Sequence, residues 1–198
     1  MLCYWTVATI AILYVLFDVN YFLRIIFTIG WGRLFQKRKK ILEPTAIYGI
    51  CFTQDIDLVF KHMNNARYLR ELDFARFHYY DRSGLFSGIS AKGGGMVQGA
   101  CSTRYRRPLP IFTPYKITTQ LIYWDDKNFY LEHQIISLPD NFIRAVVLSK
   151  QSVTSLKVPV PEIVAKVDPT AKKPEFSREL KLWLDSMAES SEKLRKKN

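Results

Sequence analysis

Cysteine is scarce, with Cys3, Cys51 and Cys101 making up the whole complement of the 198 residues. An odd, sparse count excludes a disulfide framework and fits a reducing compartment. Cys51 and Cys101 read as small apolar residues inside strands. Histidine is equally rare, and no His, Cys or Asp spacing supplies a metal-ligand set. Gly93, Gly94 and Gly95 lack the lysine and the following helix that a phosphate loop requires. Nucleic-acid-binding motifs are absent too, although 29 basic against 18 acidic residues give a net charge of +11. A basic balance without such a motif points to a membrane surface or an anionic ligand, not to nucleic acid.

Positive charge is also missing from the N-terminus: no lysine or arginine precedes Asp18, and residues 1–17 are almost entirely apolar or aromatic. Seventeen helical residues reach ~25 Å, slightly short of a ~30 Å hydrocarbon core, and extension to Leu23 would span it. A cleaved leader, which would make the protein secreted, needs a basic start and a small-x-small site. Neither is present, so an uncleaved anchor is favoured. The first basic cluster (Arg33, Lys37, Arg38, Lys39, Lys40) follows this segment, which places the remainder on the cytosolic side of a membrane, the endoplasmic reticulum being the expected one. Residues 19–36 also read as an interfacial helix, with Tyr21 and Trp31 as belt residues.

The chain divides into an anchor with its basic segment (1–40), a domain (41–157), and a C-terminal linker with an amphipathic helix (158–198). Within the domain, 45–53 reads as a strand and 65–84 as a long helix. Residues 87–95 read as a loop and 96–105 as a strand. Two further strands are expected at 115–124 and 129–137, joined by a turn at 125–128, and a last one at 142–156. One strand, one helix and four consecutive strands make an α+β pattern. Residues 158–174 read as proline-punctuated connection, and 175–197 as a solvated helix with Leu180, Trp183, Leu184 and Met187 on one side.

The long helix is the best-marked element. No glycine or proline occurs between Ala66 and Gly84, and Tyr68, Leu72, Ala75 and Tyr79 fall at i, i+4, i+7 and i+11. Asn64 and Asn65 are suited to cap its first turn. Just upstream lie Asp55, Asp57 and His62. A carboxylate before the positive end of a helix dipole suits attack on a carbonyl whose oxygen gains negative charge. Asp57 is the candidate general base, Asp55 a structural fallback, and Glu71 and Asp73 the alternatives on the helix itself. Arg67 and Glu71 are spaced for an ion pair one turn apart. Arg104, Arg106 and Arg107 could clamp phosphates.

The DID of residues 55–57 and the HMNNARYL of residues 62–69, with the segment 105–133, resemble hotdog-fold acyl-CoA thioesterases of the 4-hydroxybenzoyl-CoA thioesterase type, over roughly residues 45–157. That resemblance implies an α+β hotdog fold, a long central helix wrapped by an antiparallel sheet, with the N-terminal anchor helix and C-terminal helix appended. It implies an acyl-CoA substrate or ligand bound at a homodimer interface, with CoA part of the substrate and no separate cofactor. It also implies catalytic-site roles for Asp57, His62, Asn64 and Asn65. The family pattern is D-x-D-x-x-G-H. Here Leu58, Val59, Phe60 and Lys61 separate Asp57 from His62, one residue too many, and the glycine is missing. Aligning Asp57 requires a one-residue bulge and implies an enzyme. Aligning His62 puts Leu58 at the catalytic position and implies a binding protein without hydrolysis.

Overall fold

A computed structural model describes residues 2–59, 61–155 and 158–195. Two helices come first, α1 (Leu2–Leu16) and α2 (Val19–Phe35). After them follow β1 (Thr45–Ile50), a 3-10 turn (Thr53–Asp55), α3 (Asn65–Ser83), α4 (Leu85–Ser90) and β2 (Gly95–Tyr105). The chain ends with β3 (Pro114–Trp124), β4 (Asn128–Ser137), β5 (Ile143–Thr154), α5 (Val160–Val167) and α6 (Arg178–Arg195).

The strands form one antiparallel sheet in the order β1-β3-β4-β5-β2. In β3, Tyr115, Ile117, Thr119 and Leu121 alternate inward, as a half-buried strand should. They meet α3 along the row predicted from its spacing, since Tyr68, Leu72, Ala75 and Tyr79 are all buried. The first three join Ile117, Ile135 and Val147 in one cluster, while Tyr79 joins Leu121, Trp124 and Phe129 in a second. Each such side chain contributes roughly 1.5–3 kcal/mol on burial. Asn64 Oδ1 accepts the Ala66 amide at 2.9 Å to start α3, and Gly84, in the left-handed region at φ +79°, ends it.

Three expectations need correction. Residues 87–90 of the supposed loop at 87–95 belong instead to the helix α4. Gly88 is there because a β-carbon would come within 2.6 Å of Val167 on α5. Part of the supposed linker is the helix α5, which opens after Pro159 and buries Val160, Ile163 and Val164; that i, i+3, i+4 spacing was legible behind the prolines. At the other end of the domain, Leu156 lies outside the described residues.

The third correction concerns the N-terminus. No helix runs on through Asp18 to Leu23. Asp18 instead caps a new helix, its Oδ1 accepting the Tyr21 amide at 3.2 Å. Among the described residues no single helix is long and apolar enough to cross a membrane; α1 and α2, bent by 80°, reach that length and composition only as a broken pair. α2 lies along α3. Arg24 grips Glu71 with both guanidinium nitrogens, one of them at 2.6 Å, and its guanidinium carbon sits 4.2 Å from the Phe74 ring centroid. Tyr21 donates to Asp73 at 3.2 Å, Arg33 reaches Asp81 at 2.6 Å, and Arg70 pairs with Asp18. Arg82 closes the far end by donating to the carbonyls of Gly32 and Gln36 at 2.7 and 2.8 Å, satisfying acceptors that a helix C-terminus leaves open.

Candidate functional site

The segment before α3 is held by Asp55. One of its carboxylate oxygens accepts the Phe52 amide at 2.9 Å, the other accepts Arg67 Nε at 2.6 Å, and its carbonyl accepts the Asn64 amide at 2.8 Å. Buried and fully engaged, Asp55 ties the loop to the first turn of α3, a structural task.

Asp57 begins a tight closed loop. Its amide donates to the His62 carbonyl at 2.8 Å, its carbonyl accepts the Lys61 amide at 3.1 Å, and Oδ1 accepts the Val59 amide at 2.9 Å. The last contact is an Asx turn. Lys61 takes up the reversal at φ +51°, and Ile56 bridges Met63 beyond it. The extra residue is therefore absorbed as a bulge whose tip is exposed, Leu58 at 92% and Val59 at 75%; Phe60 lies outside the described residues. Of the two alignments left open by the sequence, the loop places Asp57 opposite His62 and sends Leu58 into solvent.

A cavity of about 160 Å³ opens beside the α3 N-terminus, walled by His62, Asn65, Tyr68, Tyr105, Arg106 and Arg107 among others. His62 Nδ1 lies 3.0 Å from the Met63 carbonyl. Tyr105 donates its hydroxyl proton to the Asn65 carbonyl at 2.8 Å. The Tyr68 hydroxyl accepts the Leu109 amide at 3.2 Å, and burial pushes its pKa up to about 12, keeping it protonated. Arg106 and Arg107 stack on Phe142, 4.8 and 4.3 Å from its centroid, which orients two exposed guanidinium groups at the cavity mouth. The structure thus brings together His62, Asn65, Arg106 and Arg107. Asn64 stands behind them as the helix cap, Arg104 lies exposed further back on β2, and Asp57 is not among the residues that wall this cavity.

The helix carboxylates are already committed. Glu71 is buried, held by Arg24, by the Tyr115 hydroxyl at 2.8 Å and by Arg67 at 3.6 Å. Burial and Glu71 push the Tyr115 hydroxyl far above its ordinary range. Asp73 is paired with Arg76 and Tyr21. Burial also raises the Cys51 thiol to about 11, which leaves it a poor nucleophile. Sequence spacing gave the Arg67–Glu71 pair but not Arg24 or Tyr115, because each comes from an element distant in the chain. Among the described residues no group of three or more His, Cys, Asp or Glu could hold a metal ion.

A single long helix wrapped by a five-stranded antiparallel sheet, with a basic-mouthed cavity at that helix's N-terminus, defines a hotdog-fold, thioesterase-like protein. The sequence profile of the Thioesterase-like superfamily matches residues 51–184, and the chain belongs to that family. It is similar to Protein THEM6 of Drosophila melanogaster, at 56% identity over 192 residues, covering 97% of this chain and 98% of that one. It is 32% identical over 87 residues to the long-chain acyl-CoA thioesterase FadM of Escherichia coli, covering 44% of this chain and 66% of FadM. Among solved structures it resembles the probable thioesterase YbaW of Escherichia coli, with a TM-score of 0.54 and 26% identity, covering 63% of this chain and 94% of that one.

Proposed function

We propose that the protein binds acyl-CoA at the α3 N-terminus and hydrolyses it to free acid and CoA, serving lipid metabolism at a membrane. The observation that carries this reading is the convergence of His62, Asn65, Arg106 and Arg107 on one cavity at that helix end. The thioester carbonyl would lie against the first turn of α3, where amide donors and the helix dipole stabilise a developing oxyanion. Asp57, as general base, takes a proton from water. The hydroxide adds to the carbonyl carbon, the C–S bond breaks, and the departing thiolate of CoA takes up the proton that Asp57 removed from the water. Arg106 and Arg107, with Arg104 behind them, meet the CoA phosphates. The name of FadM, a long-chain acyl-CoA thioesterase, agrees with this substrate class. Among the described residues the outer edge of β2 has no partner strand in the sheet, and a second copy would extend the sheet there to form the expected homodimer. The exposed apolar side chains of α1 and of the outer face of α2 would sit in a bilayer, with Arg33 and the basic residues after α2 on the cytosolic side of the endoplasmic reticulum.

A second reading, acyl-CoA binding without hydrolysis, is favoured by one observation: Asp57 Oδ1 is occupied by the Val59 amide. One experiment separates the two. Hydrolysis of short- to long-chain acyl-CoA is measured with the full-length protein and with Asp57→Asn. Turnover that falls ~10²-fold or more in the variant supports Asp57 as the base. Turnover that is unchanged removes Asp57 from the mechanism. Saturable binding with no wild-type turnover establishes the second reading.

A further inference from the structure

An antiparallel sheet with one solvated face turns polar residues outward, and β1 does not. Inward it buries Thr45 and Ile47, with Cys51 just past its end; outward it exposes Tyr48 and Ile50, with Phe52 next in the row. Two loops continue this apolar row. One carries Leu58 and Val59 at its exposed tip, and the other carries Phe112, 64% exposed. Backbone bonds hold the three segments side by side: the Phe112 amide donates to the Cys51 carbonyl at 2.7 Å, and the Ile111 amide to the Lys61 carbonyl at 3.2 Å. Phe112 sits in the left-handed region at φ +61°, unfavourable for a bulky residue, and still its ring stays outside the core. The contact surface lies beside the α3 cavity, since His62, which follows Lys61, walls that cavity.

Three observations select the partner. The first is charge. Asp18 is paired with Arg70, Asp55 with Arg67 and Glu71 with Arg24, while Asp57 turns one oxygen back to the Val59 amide. Lys61, beside the loop tip, and Lys116, directly opposite Tyr48 in the β1–β3 pairing, have no ion pair among the described residues. The apolar row is thus bordered by free cations. The second is continuity with the segments already assigned to a bilayer. Tyr48 walls the same groove as Phe27 and Trp31 of α2. At the other end, Asp55 accepts from the Phe52 amide and from Arg67, and one turn further along α3 Arg70 holds Asp18, the elbow between α1 and α2. The third is shape. Leu58, Val59 and Phe112 stand on separate projecting tips, around which lipid headgroups can part, whereas a protein partner would need a pocket for each. This surface also lies at the sheet edge opposite β2, so a second copy paired along β2 leaves it uncovered.

We infer, resting on the membrane reading above, that the thioesterase-like domain itself lies on an anionic bilayer surface: Phe52, Leu58, Val59 and Phe112 dip between the headgroups, and Lys61 and Lys116 pair with lipid phosphates. The mouth of the α3 cavity then opens at the bilayer and not into bulk water.

The test uses the full-length protein reconstituted in phosphatidylcholine vesicles that contain phosphatidylinositol and a trace of phosphatidylcholine bearing a diazirine near the headgroup end of its chain. After flotation and illumination, lipid adducts are expected on the peptides carrying Leu58, Val59 and Phe112 as well as on α1. Omitting phosphatidylinositol, or combining Lys61→Glu with Lys116→Glu, should lower the loop adducts about 5- to 10-fold and leave those on α1 unchanged. Leu58→Asp with Val59→Asp, at positions too exposed to disturb the core, should abolish the adduct on that loop. Adducts confined to α1 and α2, loop adducts indifferent to lipid charge, or cross-links joining the loops of two copies in place of lipid would each overturn the inference and leave the membrane reading standing. A chain that does not float with the vesicles overturns the membrane reading, and the inference with it.

Discussion

The two faces of α3 are built differently. Towards the sheet it presents Tyr68, Leu72, Ala75 and Tyr79, which pack into β1, β3, β4 and β5. Towards α2 it presents Glu71, Asp73, Asp81 and Arg82, which meet Arg24, Tyr21, Arg33 and two α2 carbonyls. The sheet face is held by area, which is non-directional and tolerant of small shifts. The α2 face adds to its apolar contacts a set of donors and acceptors that work only in one register. Directional contacts therefore fix where α2 lies, and they leave its opposite side free to carry Phe22, Ile26 and Leu34 outward. Tyr21 and Ile25 add apolar contact with the core from the same side of α2, so the helix needs none of its outward-facing side chains to stay in place.

The sheet face gives the largest expected loss. Leu72→Ala removes a fully buried side chain and should cost about 2–5 kcal/mol in urea unfolding, depending on how far the site collapses. On the other face, Arg24→Ala strips Glu71 of its bidentate partner and leaves it the Tyr115 hydroxyl and a longer contact to Arg67. A loss of about 3 kcal/mol is expected, the low end for a broken buried pair, because those two partners remain. The double variant Arg24→Met with Glu71→Met should recover most of that loss, since it removes both charges together. If the double variant is no more stable than Arg24→Ala, the pair contributes through shape and not through charge.

Acid should strain both faces at once. His78 is lowered to about 4 and His133 to about 3, each mainly by burial. His133 lies in the sheet between the hydroxyls of Thr119 and Ser149, at 2.9 and 3.1 Å, neither of which carries a negative charge to offset a protonated ring. Both folded values lie below the ordinary ~6.5 of an unfolded histidine, so the unfolded chain binds more protons between 6.5 and the folded values. Stability from these groups is complete above ~6.5 and falls as the pH falls, by about 1.4 kcal/mol per unit for each ring. Denaturant titrations between pH 6 and pH 5 should show close to two protons taken up on unfolding. His133→Asn should remove one of them. A slope unchanged by that substitution would place the acid sensitivity elsewhere.

The same contrast explains what was legible in the sequence. The sheet face of α3 was readable because its period lies within one element, and its ends were readable because Asn64 and Gly84 act on their own neighbours. The alternation of β3 was local in the same way. The α2 face was not legible, since Arg24 and Glu71 are 47 positions apart and nothing in either segment points to the other. The reading of residues 19–36 as a helix of their own agrees with α2, and the bond from the Tyr21 amide shows that Asp18, an interruption in the apolar run, is what starts it. At the candidate site, the sequence supplied His62, Asn65, Arg106 and Arg107, whose convergence needs the fold. It left the spacing of Asp57 undecided because a bulge with a positive φ at Lys61 carries no glycine to announce it.

The smallest effect tests whether the α2 face is one unit or a set of independent contacts. Tyr21 donates to Asp73, which Arg76 also holds, and its ring lies beneath the Arg70 guanidinium at 4.1 Å, with Arg70 in turn paired to Asp18. Tyr21→Phe keeps the ring and removes only the hydroxyl. Asp73 retains Arg76 and is part-exposed, so water can replace the lost donor, and the expected cost is about 0.5–1 kcal/mol. If the contacts are independent, Tyr21→Phe and Arg24→Ala should add within about 0.5 kcal/mol. A larger combined loss would mean that the Tyr21 hydroxyl and the Arg24 guanidinium hold α2 cooperatively, so that the helix leaves α3 as a whole once either contact is broken. Proteolysis of the double variant reads this directly: cleavage within α2 that leaves the sheet and α3 intact marks the α2 face as a separable layer, whereas cleavage throughout the domain ties the two faces into one folding unit.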